Sequence, residues 1–268
     1  MGLVSGIKNR LFPSESMRLI RKAGSFPRFQ KTQITFRDMK FDVTDFLSVA
    51  WQLKEIFEDE ELKFRSSSAN PVIYDCGANV GVSAVYFKKL FPGAHIKAFE
   101  PDPDVYACLE RNISQNNLSG VELFQKAVWK EKGKLNFSSE GADGGSLAPG
   151  NGKTIEVESI RLKDLLTMEK EVDFLKIDIE GAEVDVINDI KDDLTKVKFL
   201  FVEYHSRPGE PQRLDQLCAA LSSAGFRYYI RSINSSVKNP FVSEMDSRGM
   251  DIQLNIHAIR KQDQELHR

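Results

Sequence analysis

The chain has 268 residues, 41% of them hydrophobic and 28% charged, with a formal net charge of −2. That length buries one sizeable core, two full domains would be cramped, and the composition is that of an ordinary globular protein. The near-neutral total hides an asymmetry: residues 1–40 hold nine Lys/Arg against Glu15 and Asp38, a balance of +7 that leaves −9 for the rest.

No stretch approaches the ~20 apolar residues of a membrane span, and the first residues lack the apolar core of a signal peptide. Cys76, Cys108 and Cys218 are scattered and odd in number, which fits buried thiols in a reducing compartment and excludes a disulfide frame. A cytoplasmic location is expected. The basic arm suits an anionic surface, either a glycan or membrane headgroups. The alternative is packing on its own domain or on a second subunit; the oligomeric state stays open.

Leu3, Ile7 and Leu11 recur at helical spacing before Pro13 interrupts, and Pro27 breaks a second short segment. Thr44 or Asp45 caps a helix whose stripe is Phe46, Val49, Ala50, Leu53 and Phe57. The acidic run Glu58–Glu61 is expected on a solvated face, and residues 66–71 read as a linker. The chain divides into a basic, helical arm over 1–65 and a main domain over 66–268.

From Val72 the pattern alternates strand and helix. Val72–Asp75 is an apolar strand that runs into Gly77–Gly81 and a helix stopped by Pro92-Gly93. The loop's amides are expected to face a nucleotide-like ligand. His95–Phe99 is the second strand; Asp102 caps a helix with Pro103 at its first position, and Val121–Phe124 follows as the third. Lys126–Val128, Leu135–Phe137 and Thr154–Val157 suggest a small antiparallel insertion. Ser138–Lys153, with five glycines and Pro149, reads as a mobile lid or as disorder. Asp173–Ile177 and Phe199–Val202 are the fourth and fifth strands. A helix bearing Leu214, Leu217 and Leu221 and two last strands, Phe226–Arg231 and Ile252–Ile259, complete an α/β sandwich with a mostly parallel sheet.

Ligands of such sheets bind beyond the carboxyl ends of the strands, where Asp75, Glu100, Asp178 and Glu203 stand, with His205 two residues past the last acid. Glu100, 19 residues after Gly81, is placed to accept both hydroxyls of a ribose. A dinucleotide fingerprint counted from Gly77 requires glycines where Asn79 and Val82 stand, so an NAD-dependent oxidoreductase is kept only as an alternative. Asn79 also reads as a helix N-cap.

Asp75-Cys76-Gly77-Ala78-Asn79-Val80-Gly81, Phe99-Glu100-Pro101, Ala127-Val128, Leu175–Glu183 and Val202–His205 occur in that order. Together they resemble the FkbM-type methyltransferase family, over about residues 70–232. The resemblance implies a Rossmann-like class I methyltransferase sandwich. It also implies S-adenosylmethionine-dependent O-methyl transfer to a hydroxyl of a sugar, a glycolipid or polysaccharide, or a secondary metabolite. Asp75, Gly77, Ala78, Asn79 and Gly81 then line the methionine end of the cofactor, Glu100 its ribose, and Lys126 and Ala127 its adenine. His205 is the first candidate for a base, because its ordinary pKa suits one near neutral pH, and Asp178 is the second. Glu180 and Glu203 are candidates for holding acceptor hydroxyls. Asp178, Glu180, Glu183, Glu203 and His205 would also suit Mg²⁺ or Mn²⁺, but no metal is expected. Neither is a nucleic-acid partner: the core is acidic and Asp178 leads into Ile-Glu-Gly, not a Pro-Pro-aromatic clamp. The remaining alternative is a scaffold protein that keeps the cofactor site without turnover.

Overall fold

The computed structural model describes residues 13–139, 153–233, 241–242, 250 and 252–260. The Leu3/Ile7/Leu11 repeat and most of the glycine-rich stretch lie outside these described residues. The main sheet has seven strands. In chain order they are β3 (Val72–Cys76), β4 (His95–Phe99), β5 (Val121–Phe124), β9 (Val172–Ile177), β10 (Val197–Ser206), β11 (Phe226–Ser232) and β12 (Ile252–Arg260). Across the sheet the order is β11-β12-β10-β9-β3-β4-β5, and β12 alone runs opposite to the other six. This is the α/β, Rossmann-like class I methyltransferase architecture read from the sequence. Because the chain winds outward from β3 to β5 and then resumes at β9, a crevice opens at the carboxyl ends of β3 and β9.

Both faces of the sheet are covered, so its strands read as near-continuous apolar runs. Ile73, Ile96 and Phe174 belong to the core that includes α3 (Val82–Leu90) and α4 (Pro103–Gln115); Tyr74, Leu175 and Val202 belong to the core that includes α5 (Leu162–Met168), α6 (Glu183–Asp189) and α7 (Leu214–Ser223). Asp102 caps α4 as its sequence announces, accepting from the amides of Asp104 at 2.8 Å and Val105 at 3.2 Å. The small insertion is a three-stranded sheet of β6 (Ala127–Trp129), β7 (Gly133–Ser139) and β8 (Lys153–Arg161). Its β7–β8 pair is antiparallel as expected, while β6 pairs parallel to β8 because the chain reverses twice between them.

Within the described part of the arm, α1 (Glu15–Ala23) is followed by a β-hairpin of β1 (Thr32–Phe36) and β2 (Met39–Val43) that the sequence reading missed. Its alternating burial puts Ile34, Phe36, Met39, Phe41 and Val43 into the core shared with α3 and α4. Asn112 of α4 ties the hairpin to the glycine loop: its amide donates to Asp42 O and Val80 O, both at 2.8 Å. Several arm cations are engaged locally, with Arg28 paired to Asp45, Lys31 to Asp104, and Arg37 over the rings of Phe36 and Phe57.

The next helix, α2 (Phe46–Leu53), passes into a π-helical turn over Lys54–Glu58. Glu58 and Glu61 depart from the solvated face expected of them. Glu58 accepts from the Ser16 amide at 3.0 Å and from both Ser14 and Ser16 hydroxyls, docking α1. Glu61 follows a reversal at Glu60, whose φ is +54°. It meets Arg231 of β11 and Asn255 of β12 and is 10% exposed.

Asp45 closes this region. It accepts from Ser48 N at 2.9 Å, and from Phe29 N and Arg28 Nε at 2.8 Å each. Asp45→Ala is expected to lower the unfolding free energy by about 2 kcal/mol, through the lost cap and the stranded Phe29 amide. Urea denaturation reads this as a lower midpoint with an unchanged slope; an unchanged midpoint refutes it.

Candidate functional site

A cavity of about 670 Å³ opens at the crevice, within the size range of small-molecule sites. Gly77, Ala78, Asn79, Glu100, Lys126, Ala127, Asp178, Glu180 and Glu203 all line it, so most of the residues singled out from the sequence meet there. Asp75, Gly81 and His205 are not among its lining residues. Asp75 is fully buried, Gly81 packs against α4, and His205 has no exposed side-chain surface.

The loop after β3 is organised differently from the expectation that its amides face a ligand. The amides of Gly77 and Ala78 donate to Phe99 O at 3.1 and 2.9 Å. Those of Asn79 and Val80 donate to Glu100 Oε2 at 3.1 Å and Asn79 Oδ1 at 2.7 Å. With the left-handed turn at Asn79 (φ +48°), three of these donors face the end of β4 and Glu100, and the fourth the Asn79 side chain. The N-cap of α3 is accordingly Gly81, not Asn79. Gly77 is required by chain crossing: a Cβ there would lie 1.7 Å from the carbonyl oxygen of Asp178.

Lys176 lies beneath this loop. A lysine inside Phe174-Leu175-Lys176-Ile177 is the signal that the sequence reading passed over, because lysine is almost never fully buried without a partner. Its neighbour across the β3–β9 ladder is Asp75. The ammonium donates to Gly77 O at 2.7 Å and lies 3.1 Å from Asp178 Oδ2 and 3.5 Å from Asp75 Oδ1. Asp75 Oδ2 in turn accepts from Ser83 Oγ at 2.5 Å. Burial pulls the Lys176 pKa down, but the charges of Asp178 and Asp75 outweigh it and hold the group above its ordinary value.

Glu100 stands at the end of β4. Burial pushes its carboxyl up to about 8, helped by the charge of Asp102 and opposed by hydrogen bonds from the amides of Asp102 and Asn79. Those amides take one position on each oxygen, so lone pairs remain to accept from a diol. Phe99, Pro101, Val128 and Phe137 line the same cavity and add an apolar surface suited to a flat base. A ribose-bearing cofactor with a cationic centre therefore fits these donors, acceptors and charges.

The far wall is carboxylate-rich. β10 runs past Val202 to Ser206 because β12 extends its ladder, pairing Glu203 with Asn255 and His205 with Gln253. Glu180 and Gly181 take φ +58° and +106°, and buried Glu183 closes that turn by accepting from the amides of Ile179 and Gly181. His205 sits among these acids: Nδ1 is 3.1 Å from Glu183 Oε1, and Nε2 is 3.4 Å from Glu203 and 3.6 Å from Glu180. Burial alone would lower the imidazole pKa; the surrounding carboxylates, Glu180 and Glu183 first, hold it well above its usual value. Burial and the Asp178 charge push Glu203 up, against His205 and Gln253. Burial likewise carries Glu180 to about 8, opposed by His205. Asp178, Glu203 and His205 also bring ligand-type atoms within 4.8 Å of one another, in an arrangement where both ring nitrogens already meet carboxylates.

The sequence reading gave no site role to Trp51, Gln52 and Glu55, nor to Gln253 and Asn255, all of which line the cavity. Only the π-helical turn itself is a recognisable marker, since such turns recur at functional sites, and no local residue pattern announces it.

The FkbM methyltransferase domain matches residues 75–228, and the chain belongs to this family. Methyl transfer is the family's reaction and S-adenosylmethionine its methyl donor. The chain is similar to methyltransferase sdnD of Sordaria araneosa, 32% identical over 52% of this chain and 68% of that one. It is similar to the 2-O-methyltransferase NoeI of Sinorhizobium fredii, 30% identical over 50% and 63%. It is also similar to the 31-O-demethyl-FK506 methyltransferase FkbM of Streptomyces tacrolimicus, 26% identical over 65% and 80%. No helix among the described residues is long and apolar enough to cross a membrane.

Lys176→Met leaves two facing carboxylates without their cation and is expected to cost about 3–5 kcal/mol near neutral pH. Urea unfolding should show the midpoint of the variant well below that of the wild type. An unchanged midpoint contradicts the assignment.

Proposed function

We propose that this member of the FkbM methyltransferase family transfers the methyl group of S-adenosylmethionine to a hydroxyl oxygen of a sugar or secondary metabolite. One observation carries the reading: a single cavity joins a ribose-suited carboxylate and apolar slot to a wall of carboxylates and amides. Oxygen as the acceptor atom is supported by the 2-O- and 31-O- designations of two relatives.

When bound, the cofactor supplies a sulfonium-activated methyl group, so the protein's task is alignment and proton removal. Glu100 accepts the ribose hydroxyls, Gly77, Ala78 and Asn79 flank the methionine part, and Lys126 and Ala127 border the adenine. Asp75 and Gly81 act from behind the wall by shaping the loop. Asp178, already neutralised by Lys176 at 3.1 Å, faces the reacting centre as an electrostatic and positioning group. Glu203 takes the acceptor's proton as the new C–O bond forms and releases it to water. Its raised pKa makes it a stronger base than an ordinary carboxylate. Glu180 shares the hydroxyl network. His205, enclosed by carboxylates, is a positioning residue that sets the charge of Glu203, in place of the base expected from its ordinary pKa.

Calorimetry with S-adenosylhomocysteine tests the cofactor half: folded wild type should bind, and Glu100→Ala should weaken binding at least about tenfold. Absence of binding by the wild type sinks the reading. For the base, Glu203→Gln should lower kcat by about 10²–10⁴ with little change in cofactor affinity. The acid limb of the kcat/KM profile should lie above the ordinary carboxylate range, because Glu203 must be ionised to act. In His205→Gln that limb should move to higher pH, since the cation that lowers the Glu203 pKa is gone. A limb that stays in place assigns His205 a structural role only.

A further inference from the structure

One part of the cavity is rich in hydrogen-bond acceptors. Trp51 of α2 and Glu55 of the π-helical turn line it with Gln253 and Asn255 of β12 and with Glu180 and Glu203. The Gln253 amide is turned toward Glu203 Oε1, and Asn255 Nδ2 donates to Glu61 at 3.3 Å. Glu180 Oε2 and Asn255 Oδ1 are buried without a hydrogen-bond partner. Among the described residues, the Glu55 carboxylate has neither an ion pair nor a hydrogen bond. Trp51 is 42% exposed, so its ring offers a free apolar face.

The charges point the same way. Among the described residues, every cation lining the cavity is already paired: Arg28 with Asp45, Lys126 with Glu158, and Lys176 with Asp75 and Asp178. On the functional reading above, the cofactor accounts for Glu100 and Asp178. Glu180 and Glu203 then share His205, which Glu183 also meets, and Arg207 lies 3.8 Å from Glu180, while Glu55 pairs with neither cation. A ligand for this wall must bring donors and positive charge. A carboxylate on the acceptor would add negative charge and no donor.

We propose that this wall is the acceptor subsite and takes a hydroxylated ring carrying a protonated amine, its ammonium on Glu55 and its apolar face on Trp51. The assignment rests on the methyl-transfer reading and narrows it to an amino sugar or a cyclic amino alcohol. It also accounts for selectivity within such an acceptor. An amine held as ammonium beside a carboxylate has no lone pair to attack with, so the methyl group goes to the neighbouring oxygen.

The test uses the full chain and three probes of one shape: methyl glucosaminide, methyl glucoside and methyl glucuronide. Each is titrated by ligand-observed NMR, with and without saturating S-adenosylhomocysteine, after calorimetry has measured the latter's own binding. The glucosaminide should bind at least about tenfold tighter than the glucoside, and the glucuronide most weakly. Glu55→Gln should bring the amine and neutral probes within about twofold of each other, with S-adenosylhomocysteine affinity unchanged. Trp51→Ala should weaken the glucosaminide and the glucoside alike. Equal affinities, a preference for the glucuronide, or binding of none of the three overturns the proposal. Loss of S-adenosylhomocysteine binding instead counts against the methyl-transfer reading.

Discussion

The Lys176 ammonium fixes the geometry on which the site depends. It stands next to Asp75 in the ladder between β3 and β9, and it also holds Gly77 O and Asp178. A buried ion group of this kind gains little against a well-packed apolar core, but removing one member is severe because the others remain charged. Its consequence is therefore positional. Two strand ends that carry acids are drawn together, and the loop after β3 is pulled across the end of β9 so closely that only glycine fits at position 77. The crevice inherits its shape from that crossing.

A second electrostatic unit faces it. Glu183 closes the 179–181 turn and meets His205 Nδ1, and the imidazole then serves Glu180 and Glu203 as their shared cation. The two units differ in exposure to change. Lys176 ties β9 to the loop after β3, whereas His205 faces carboxylates that reach the cavity. One preserves the architecture; the other, on the proposed mechanism, tunes the base.

Much of the fold was legible because its signals are local. Alternating apolar runs and helical stripes located β3, β4, β5 and β9, and Asp102-Pro103 marked the start of α4. The Asp75–Gly81 and Leu175–Glu183 blocks pointed to the family. Harder to read were features set by tertiary partners. The hairpin Thr32–Val43 gains its apolar face only against α4, and β10 continues to Ser206 only because β12 pairs with it. His205 illustrates the limit at the site: its residue type suggests a base, while its three carboxylate neighbours, from distant positions in the chain, turn it into a cation. The loop amides misled similarly, because the left-handed turn at Asn79 that redirects them leaves no mark in the pattern of small residues.

The family match ends at residue 228 and begins at 75, yet Trp51 and Glu55 precede it and Gln253 and Asn255 follow it. The match therefore takes in the glycine loop, Glu100 and Lys176 together with Asp178, Glu180 and Glu203, and leaves out the part of the cavity wall built by α2, the π-helical turn and β12. Under the proposed reading, changes in those flanking pieces would alter what is modified without disturbing Lys176 or the glycine loop. Exchange of the two flanking pieces between family members would then offer evolution, or an engineer, a way to redirect the enzyme.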